Sequence, residues 1–334
     1  MTTTDWQIAL AKAITDPNIL LATLQLSSEQ LQASGRACLD FPMRVPQGFV
    51  ARMQPGDPHD PLLRQVLPVY EELALIPGFN QDPLGEQNAN PIPGLLHKYH
   101  GRVLLTMTGA CAIHCRYCFR RHFPYADNNP GIQGWQQAIA YIAADSSISE
   151  VLLSGGDPLT MKDEPLSILL KQLAQIKHLK RLRIHSRLPI VLPERITDSL
   201  IACLTNTHLQ TIMVIHCNHP NEIDTNVRMA MKKLQTAGIP IFNQSVLLKG
   251  VNDSATILIK LSEALFEMGV IPYYLNLLDR VQGAAHFEVP DVRAKKLYAE
   301  MIKKLPGYLV PKLVREQAEA PAKLNIASAN LVNS

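Results

Sequence analysis

Residues 103–118 read VLLTMTGACAIHCRYC, a short apolar run followed at once by three cysteines. The run predicts a strand, and it is the first of six: Val103–Met107, Val151–Ser154, Leu182–His185, Thr211–His216, Ile239–Ser245 and Ile271–Leu278. Amphipathic stretches of helical length lie between them, at Trp135–Ala144, Pro165–Ile176, Glu194–Leu204, Val227–Ala237 and Ala255–Met268. From the second run onward the strands recur about every 30 residues, the size of one βα unit. This alternation predicts an α/β fold with a parallel sheet.

Polar residues directly follow the ends of most predicted strands. In chain order they are Cys111, Ser154-Gly-Gly-Asp157, His185-Ser-Arg187, His216 and Asp279, with Gln244 inside the fifth strand. In α/β barrels the carboxyl ends of the strands carry the chemistry. The sequence therefore predicts a barrel, or an incomplete one, of six βα units whose strand ends converge on one cavity.

Length and composition favour a globular protein that acts on a small molecule. The chain has 334 residues, of which 47% are hydrophobic and 18% charged, enough to bury a full core. Its 32 Lys and Arg against 29 Asp and Glu give a net charge of +3 without basic runs, so nothing favours nucleic acid or anionic lipid as a partner. No apolar stretch approaches the roughly 18 residues of a membrane span, and Met1–Asp5 does not resemble a signal peptide. We expect a cytoplasmic protein.

The first 95 residues differ from the rest in their hydrophobic periodicity and proline content. Helical periodicity in Trp6–Ile14 and Ile19–Leu26 gives way to ten prolines between Pro42 and Pro93. Proline fixes φ and removes a hydrogen-bond donor, so this part should form irregular coil and short helices on the main body. The predicted organisation is an N-terminal helical and proline-rich extension at 1–95, a core barrel at 96–305 and a short C-terminal segment at 306–334.

The cysteine pattern points to a metal or redox site. Cys111, Cys115 and Cys118 lie within eight residues, whereas the other three cysteines are scattered. Three thiolates can bind three irons of a 4Fe-4S cluster and leave the fourth iron open to an external ligand. The alternative is a structural zinc site completed by His114 or His122, although the sequence has no second CxxC pair to support it.

The CxxxCxxC spacing after the first barrel strand resembles the signature of the radical S-adenosylmethionine enzymes. In that family the open iron chelates the amino and carboxylate groups of the methionine moiety. Ser154, Gly155, Gly156 and Asp157 resemble the family's glycine-rich segment, which approaches the methionine amino group; glycine permits such an approach. The resemblance implies a radical SAM-type partial (βα)6 barrel that binds a 4Fe-4S cluster through Cys111, Cys115 and Cys118, together with S-adenosyl-L-methionine.

Further segments resemble the lysine 2,3-aminomutase family. They are Cys115–Arg121, Leu152–Asp157, Ser186–Val191, Asn218–Ile223, Asn243–Leu248, Pro272–Tyr274 and Gly307-Tyr308. The likeness runs in one order from about His97 to Lys323. The segment Pro93–His100 and the short C-terminus are similar to the branch of the family whose β-lysine is attached to translation elongation factor P.

The family also uses pyridoxal 5'-phosphate, bound as a Schiff base by a lysine late in the chain. The matching stretch here is Glu316–Lys323, which lacks the family's glycines and its Thr-Pro. Lys323 keeps the family's distance from Gly307-Tyr308, so the resemblance implies Lys323 as the catalytic lysine. Lys312 is the alternative.

The resemblance also implies how the substrate is bound. Arg120 matches the arginine that binds the lysine α-carboxylate, a role that suits a planar guanidinium. Asp279 and Glu316 match the two acids that bind the ε-ammonium, with glutamate here in place of one aspartate. The remaining implied cofactor contacts are His216 near adenosylmethionine, Gln244 near pyridoxal phosphate, and Lys98 and Arg102 near its phosphate.

The implied activity is the isomerisation of L-lysine to β-lysine by migration of the amino group. The implied partners are L-lysine, an electron donor such as flavodoxin or ferredoxin, and, through the product, the lysyl-transferase of elongation factor P. Two alternatives remain at this point. An aminomutase acting on another amino acid, such as glutamate, should carry basic residues where Asp279 and Glu316 stand. A non-catalytic iron–sulfur or zinc protein would not need Arg120, the glycine-rich segment and a late lysine together.

Overall fold

The computed structural model describes residues 4–27, 35–128 and 131–326 and is built on one nine-stranded sheet. The strands are β1 (Leu95–Tyr99), β2 (Arg102–Thr106), β3 (Glu150–Ser154), β4 (Arg181–Ser186), β5 (Gln210–His216), β6 (Ile241–Val246), β7 (Ile271–Asn276), β8 (Lys312–Arg315) and β9 (Leu324–Asn325). Strands β2 to β8 are parallel and adjacent in chain order, whereas β1 and β9 pair antiparallel at the edges. The predicted α/β fold is confirmed as a partial barrel, since in the described part of the chain β1 and β9 end the sheet without pairing to each other.

The helices fall into an N-terminal group and a group that covers the sheet. They are α1 (Asp5–Ala11), α2 (Pro17–Thr23), α3 (Gly35–Asp40), α4 (Gln47–Val50), α5 (Pro61–Arg64), α6 (Gly131–Ala144), α7 (Asp163–Leu173), α8 (Leu188–Val191), α9 (Asp198–Thr205), α10 (Thr225–Thr236), α11 (Ala255–Glu267) and α12 (Asp291–Lys304). Each predicted helical stretch overlaps one of these helices, while α12 was not predicted. Short 3-10 turns at Tyr70–Leu73 and Glu86–Ala89 interrupt the proline-rich part.

Helix α10 shows why these stretches fold as helices against the sheet. Its N-cap residue Asp224 accepts a hydrogen bond of 2.8 Å from the Val227 backbone N–H. This satisfies one of the free donors at a helix start. The buried residues Val227, Ala230, Met231 and Leu234 recur at helical spacing and pack in the main core.

Alternation along the strands decides which side chains reach the barrel interior. In β3 and β4, Val151, Leu153 and Ile184 pack in the core beneath the helices. Because successive side chains of a strand point to opposite faces, Ser154 and His185 face the barrel interior. The same alternation places His216 of β5 and Gln244 of β6 there, opposite each other in register.

Apolar side chains of the N-terminal residues pack in the same core as those of the barrel. Phe49, Leu62 and Leu63 are fully buried in the main core, whereas Tyr70 is exposed. At the other end of the chain, β8 pairs with β7, so the segment after residue 305 adds a strand to the barrel sheet. The domain limits at 95 and 305 stay predictions.

Glu72 ties the N-terminal extension to the cysteine loop. Its carboxylate accepts hydrogen bonds from Arg116 Nε (2.9 Å) and Nη2 (2.6 Å) and from Arg121 Nη2 (2.8 Å), and all three side chains are almost completely buried. Removing one member of a buried ion pair leaves the others charged and unpaired.

We therefore expect Glu72→Ala to lower the free energy of unfolding by about 3–5 kcal/mol. Urea denaturation measures it. The control is Glu71→Ala, because Glu71 is exposed on the same turn; it should change stability by no more than about 0.5 kcal/mol. Equal stabilities of the two variants would contradict the role of Glu72.

Candidate active site

The predicted cluster cysteines lie on the loop between β2 and α6. Cys111, Cys115 and Cys118 are each partly buried, and a turn bonds the Cys118 N–H to the Cys115 carbonyl at 3.0 Å. Burial, followed by the nearby Cys115 sulfur, raises the pKa of Cys118 to about 11. Burial also raises the pKa of Cys111, to which Asp157 and both other thiols add. The three sulfurs are therefore close enough to act on one another, and a cation that binds them must displace their protons.

A buried arginine contacts one of these sulfurs. Arg187, just after β4, donates from Nη1 to the Cys115 Sγ at 2.7 Å. Its Nη2 donates to Gln65 Oε1 (2.7 Å) and Glu222 Oε2 (3.2 Å), and Gln65 donates in turn to Glu222 at 3.1 Å. Hydrogen bonds to cysteine sulfur are one of the factors that set the potential of iron–sulfur clusters.

The glycine-rich segment after β3 packs directly on the cysteine loop. Gly155 has φ +105°, and a Cβ there would lie 2.8 Å from Thr106 Cγ2. A Cβ at Gly156 would overlap the carbonyl oxygen of Ala110, while the Gly156 N–H donates to the Thr108 carbonyl at 2.7 Å. Both glycines are thus required by the backbone that carries the cysteines, a reason that the sequence interpretation did not contain.

Asp157 has a structural role in addition to any contact with a cofactor. Its Oδ1 accepts from the Ser186 hydroxyl (2.7 Å) and the Leu159 N–H (3.1 Å), and its Oδ2 accepts from the N–H groups of Arg187 (2.7 Å) and Leu188 (3.2 Å). The carboxylate therefore fixes the loop after β4, and with it the arginine beside the cysteines.

Two histidines and a glutamine line the middle of the barrel interior. Gln244 Nε2 lies 2.9 Å from His216 Nε2. Burial lowers the pKa of His216 to about 3, so the neutral ring can accept this hydrogen bond. The ring of His185 stands edge-on to that of His216, and its buried Nε2 has no hydrogen-bond partner in the described structure. These groups leave polar atoms directed at the interior.

The predicted catalytic lysine, Lys323, directly precedes β9. The register of β8 with β9 places Glu316 beside Lys323. Lys323 Nζ lies 2.9 Å from Asn276 Oδ1 and 3.2 Å from Glu316 Oε2, while Lys98 Nζ lies 3.0 Å from Glu316 Oε1. Burial opposes ionisation of Glu316, but the two lysines outweigh it and lower its pKa to about 2.

Asp279 lies in the same group with no ion pair in the described structure. Burial raises its pKa to about 7, and Glu316 adds to the shift, whereas Lys323 opposes it. Lys312, the alternative to Lys323, is exposed at the start of β8, at the other end of the strands. The geometry therefore favours Lys323.

Arg120 is buried beside the last residue of β3. Its Nε and Nη2 each lie 2.7 Å from a carboxylate oxygen of Glu86, and its Nη1 donates to Ser154 Oγ at 3.2 Å. The Phe119 ring lies 4.8 Å from the guanidinium carbon. Burial opposes the charge of Arg120, but Glu86 outweighs it and raises its pKa, so the group stays cationic.

Comparison with known proteins identifies the relatives of the chain. Residues 105–260 match the family model described as the Radical SAM superfamily. L-lysine 2,3-aminomutase of Escherichia coli (strain K12) is 52% identical over 320 residues, which cover 96% of this chain and 93% of that protein. The chain belongs to the L-lysine 2,3-aminomutase family. The proteins of that name from Haemophilus influenzae and Clostridium subterminale are 51% identical (96% of this chain, 94% of that protein) and 35% identical (93% and 74%).

The donor set fits the cluster that the L-lysine 2,3-aminomutase family implies. No three His, Cys, Asp or Glu side chains in the described residues converge so as to hold one metal ion. A 4Fe-4S cluster makes a different demand, because each cysteine binds a separate iron. Three mutually interacting thiols on one loop, a cation bonded to one of them and a close-packed glycine segment meet that demand.

Several of the predicted site residues of this L-lysine 2,3-aminomutase family member act electrostatically on one another, namely Arg120, His216, Asp279, Glu316, Lys98 and Lys323. Arg102 packs against an aromatic ring. Its guanidinium carbon lies 4.7 Å from the centre of the Tyr99 ring, at the amino end of β2. Lys98, the other predicted phosphate residue, pairs with Glu316 instead of standing free. A phosphate near both residues would have to share Lys98 with this carboxylate.

Sequence reasoning missed three residues of the site, Gln65, Glu86 and Asn276. It located three more at strand ends or in family-like segments but gave them no role: His185, Arg187 and Glu222. Arg187 lies inside Ser186–Val191, a segment already recognised as similar to the family, so a signal for it existed. Glu86 belongs to an irregular stretch without periodicity, and nothing local connects it with an arginine 34 positions later.

Proposed function

We propose that this protein converts L-lysine to β-lysine by moving the amino group from the α-carbon to the β-carbon. The observation that carries the proposal is a group of buried charged residues that act on one another: Arg120 and Lys323 both act on His216, and Lys323 and Glu316 both act on Asp279. Family membership agrees with it, because relatives at 51–52% identity bear the name L-lysine 2,3-aminomutase.

Three cofactors belong to the proposal. Cys111, Cys115 and Cys118 would hold a 4Fe-4S cluster and, through its open iron, adenosylmethionine, with His216 lining their site. Lys323 would hold pyridoxal phosphate, with Gln244, Lys98 and Arg102 beside it. When bound, these groups supply the radical that removes a substrate hydrogen and the carrier for the migrating nitrogen.

The chain's own residues would bind and orient the substrate. Arg120 keeps N–H groups for the α-carboxylate, and charge-assisted hydrogen bonds of this kind are about twice as strong as neutral ones. Glu316 already holds an ammonium group, that of Lys323, at 3.2 Å. The ε-ammonium of lysine has the same chemistry, so Glu316 and Asp279 are the groups that would receive it. An anionic side chain such as that of glutamate would meet repulsion there.

The pH dependence of lysine binding should follow Asp279. With a pKa raised to about 7, its carboxyl is neutral below that pH and anionic above it. Only the anion attracts an ammonium group, so we expect kcat/KM for L-lysine to rise as the pH rises through about 7 and then to level off. In Asp279→Asn the rise should vanish and kcat/KM should fall by about 10–100-fold.

Steady-state kinetics over about one pH unit on each side of 7 measures this effect. A rise that survives unchanged in Asp279→Asn would assign the titration to another group.

The proposed function is tested by anaerobic incubation of cluster-reconstituted protein with L-lysine, adenosylmethionine, pyridoxal phosphate and dithionite, followed by chiral chromatography. Accumulation of β-lysine supports the proposal. Cleavage of adenosylmethionine with lysine unchanged would keep the cluster assignment and reject the substrate.

The cellular context is part of the same proposal. The likeness of Pro93–His100 to the branch linked to elongation factor P supports β-lysine as the precursor for modifying that factor by its lysyl-transferase. A flavodoxin or ferredoxin would supply the electron. The need to keep three clustered thiols reduced supports a cytoplasmic location. No helix in the described residues is long and apolar enough to cross a bilayer.

A further inference from the structure

Glu86 brings a buried charge from the N-terminal extension into the substrate site. Its carboxylate is only about 5% exposed and bonds to two nitrogens of Arg120, each at 2.7 Å. No other acid in the described structure forms an ion pair with Arg120. The sequence expectation assigned Arg120 to the substrate α-carboxylate and did not include this acid.

The remaining donors of Arg120 suffice for a second carboxylate. A guanidinium has five N–H groups. Glu86 takes one on Nε and one on Nη2, and Ser154 takes one on Nη1. One N–H is left on each of Nη1 and Nη2, and two adjacent nitrogens match the two oxygens of a carboxylate.

The backbone around Glu86 fixes its position as well. The Glu86 N–H donates to Asp82 Oδ1 at 3.0 Å, and Gly85 before it takes the left-handed conformation with φ +60°. Glu86 then opens a 3-10 turn that ends at Ala89. The backbone of Glu86 is therefore fixed by Asp82, and its carboxylate fixes Arg120.

We propose that Glu86 is a positioning residue for lysine recognition. It keeps the plane of Arg120 such that the free edge of the guanidinium meets the α-carboxylate. The inference rests on the proposed function, because it assigns the carboxylate to L-lysine. Glu86 touches no reacting atom and acts only through Arg120.

A purely electrostatic role and a positioning role of Glu86 predict opposite effects of Glu86→Gln on lysine binding, so the two can be distinguished. Loss of the Glu86 charge leaves Arg120 a stronger attractor for an anion, so a purely electrostatic role predicts tighter lysine binding in Glu86→Gln. If Glu86 positions Arg120, the amide nitrogen of glutamine faces an N–H donor and the guanidinium turns away. Binding of the carboxylate then weakens by the value of a charge-assisted hydrogen bond, about 10–100-fold.

The experiment compares L-lysine with L-lysinamide, which has no carboxylate, in the anaerobic β-lysine assay with the fully loaded enzyme. We expect Glu86→Gln and Glu86→Ala to raise KM for L-lysine by about 10–100-fold and to change the inhibition constant of L-lysinamide by less than about threefold. Gln87→Ala, at an exposed residue of the same turn, is the matched control and should leave both constants at the parent values.

The other outcomes overturn the inference. Equal changes for lysine and lysinamide would mean that Glu86 only supports the fold, and thermal melting together with iron content would show the same loss. Tighter binding of lysine in Glu86→Gln would mean that Glu86 acts only through its charge and does not position Arg120. If Glu86→Ala does not fold, Glu86→Gln and Glu86→Asp decide, by the same comparison of the KM for L-lysine with the inhibition constant of L-lysinamide. If the parent protein forms no β-lysine, the proposed function fails, and this inference fails with it.

Discussion

Cys115→Ala is expected to lose bound iron and to form β-lysine more than about 100-fold more slowly. Removing a group that only hydrogen-bonds to a metal ligand costs up to about 100-fold, and removing the ligand itself should cost more. Cys115 is the central cysteine of the loop, and its Sγ carries the hydrogen bond from Arg187. Without that sulfur one iron has no protein ligand, and Arg187 is left buried beside a methyl group. Iron and acid-labile sulfide per chain, measured after anaerobic reconstitution, report the loss directly.

Cys203→Ala is the matched control for this substitution. Cys203 is also partly buried, but it lies on α9, where its sulfur is 3.9 Å from the Asp163 carbonyl oxygen and also interacts with Ser167. It should keep the parent iron content and activity. Full iron in Cys115→Ala, or an equal loss in both variants, would show that the three-cysteine loop does not hold the cluster. Zinc in place of iron in the parent protein would support the structural alternative.

Lys323→Ala is expected to bind pyridoxal phosphate without a covalent link and to lose roughly 1000-fold or more of its β-lysine formation, a scale typical of losing a residue that acts covalently. The Nζ of Lys323 lies at the cavity, held by Asn276 and Glu316. Borohydride reduction of the loaded protein followed by peptide mass spectrometry locates the attachment site, independently of activity.

Lys312→Ala separates the two candidate lysines. Lys312 is exposed at the start of β8, away from Glu316. The variant should therefore keep both the covalent label and the activity. A label on the peptide that contains Lys312, or a label that persists in Lys323→Ala, would reject the assignment.

Most of the barrel could be predicted because its signal is local and repeated. Each of the six predicted strands is an apolar run with a helix-length stretch before the next one, and each is found in the sheet. Strands β1, β8 and β9 were missed because none of them belongs to the repeat, and β8 and β9 are also short, with four and two residues. Their place in the sheet depends on pairing with distant strands, which no local pattern encodes.

In the candidate site, too, contiguous motifs could be predicted and long-range contacts could not. The cysteine loop and the glycine-rich segment are contiguous motifs and were found, although the close packing of Gly156 on Ala110 is visible only in three dimensions. Glu86 was not found and Glu222, although it lies in the family-like segment Asn218–Ile223, was given no role, because each acts on an arginine 34 or 35 positions away. A buried acid that neutralises a distant arginine leaves no periodic trace in the sequence.

The attachment of the first 95 residues has a thermodynamic consequence. Glu72 and Glu86 supply the counter-charges for Arg116, Arg121 and Arg120, which lie in the later part of the chain. If the extension detached while the barrel stayed folded, three guanidinium groups would lose their carboxylates at once, at a cost of several kcal/mol for each buried pair. Partial unfolding of this kind is therefore suppressed. We therefore expect the first 95 residues and the barrel to unfold together in a single transition.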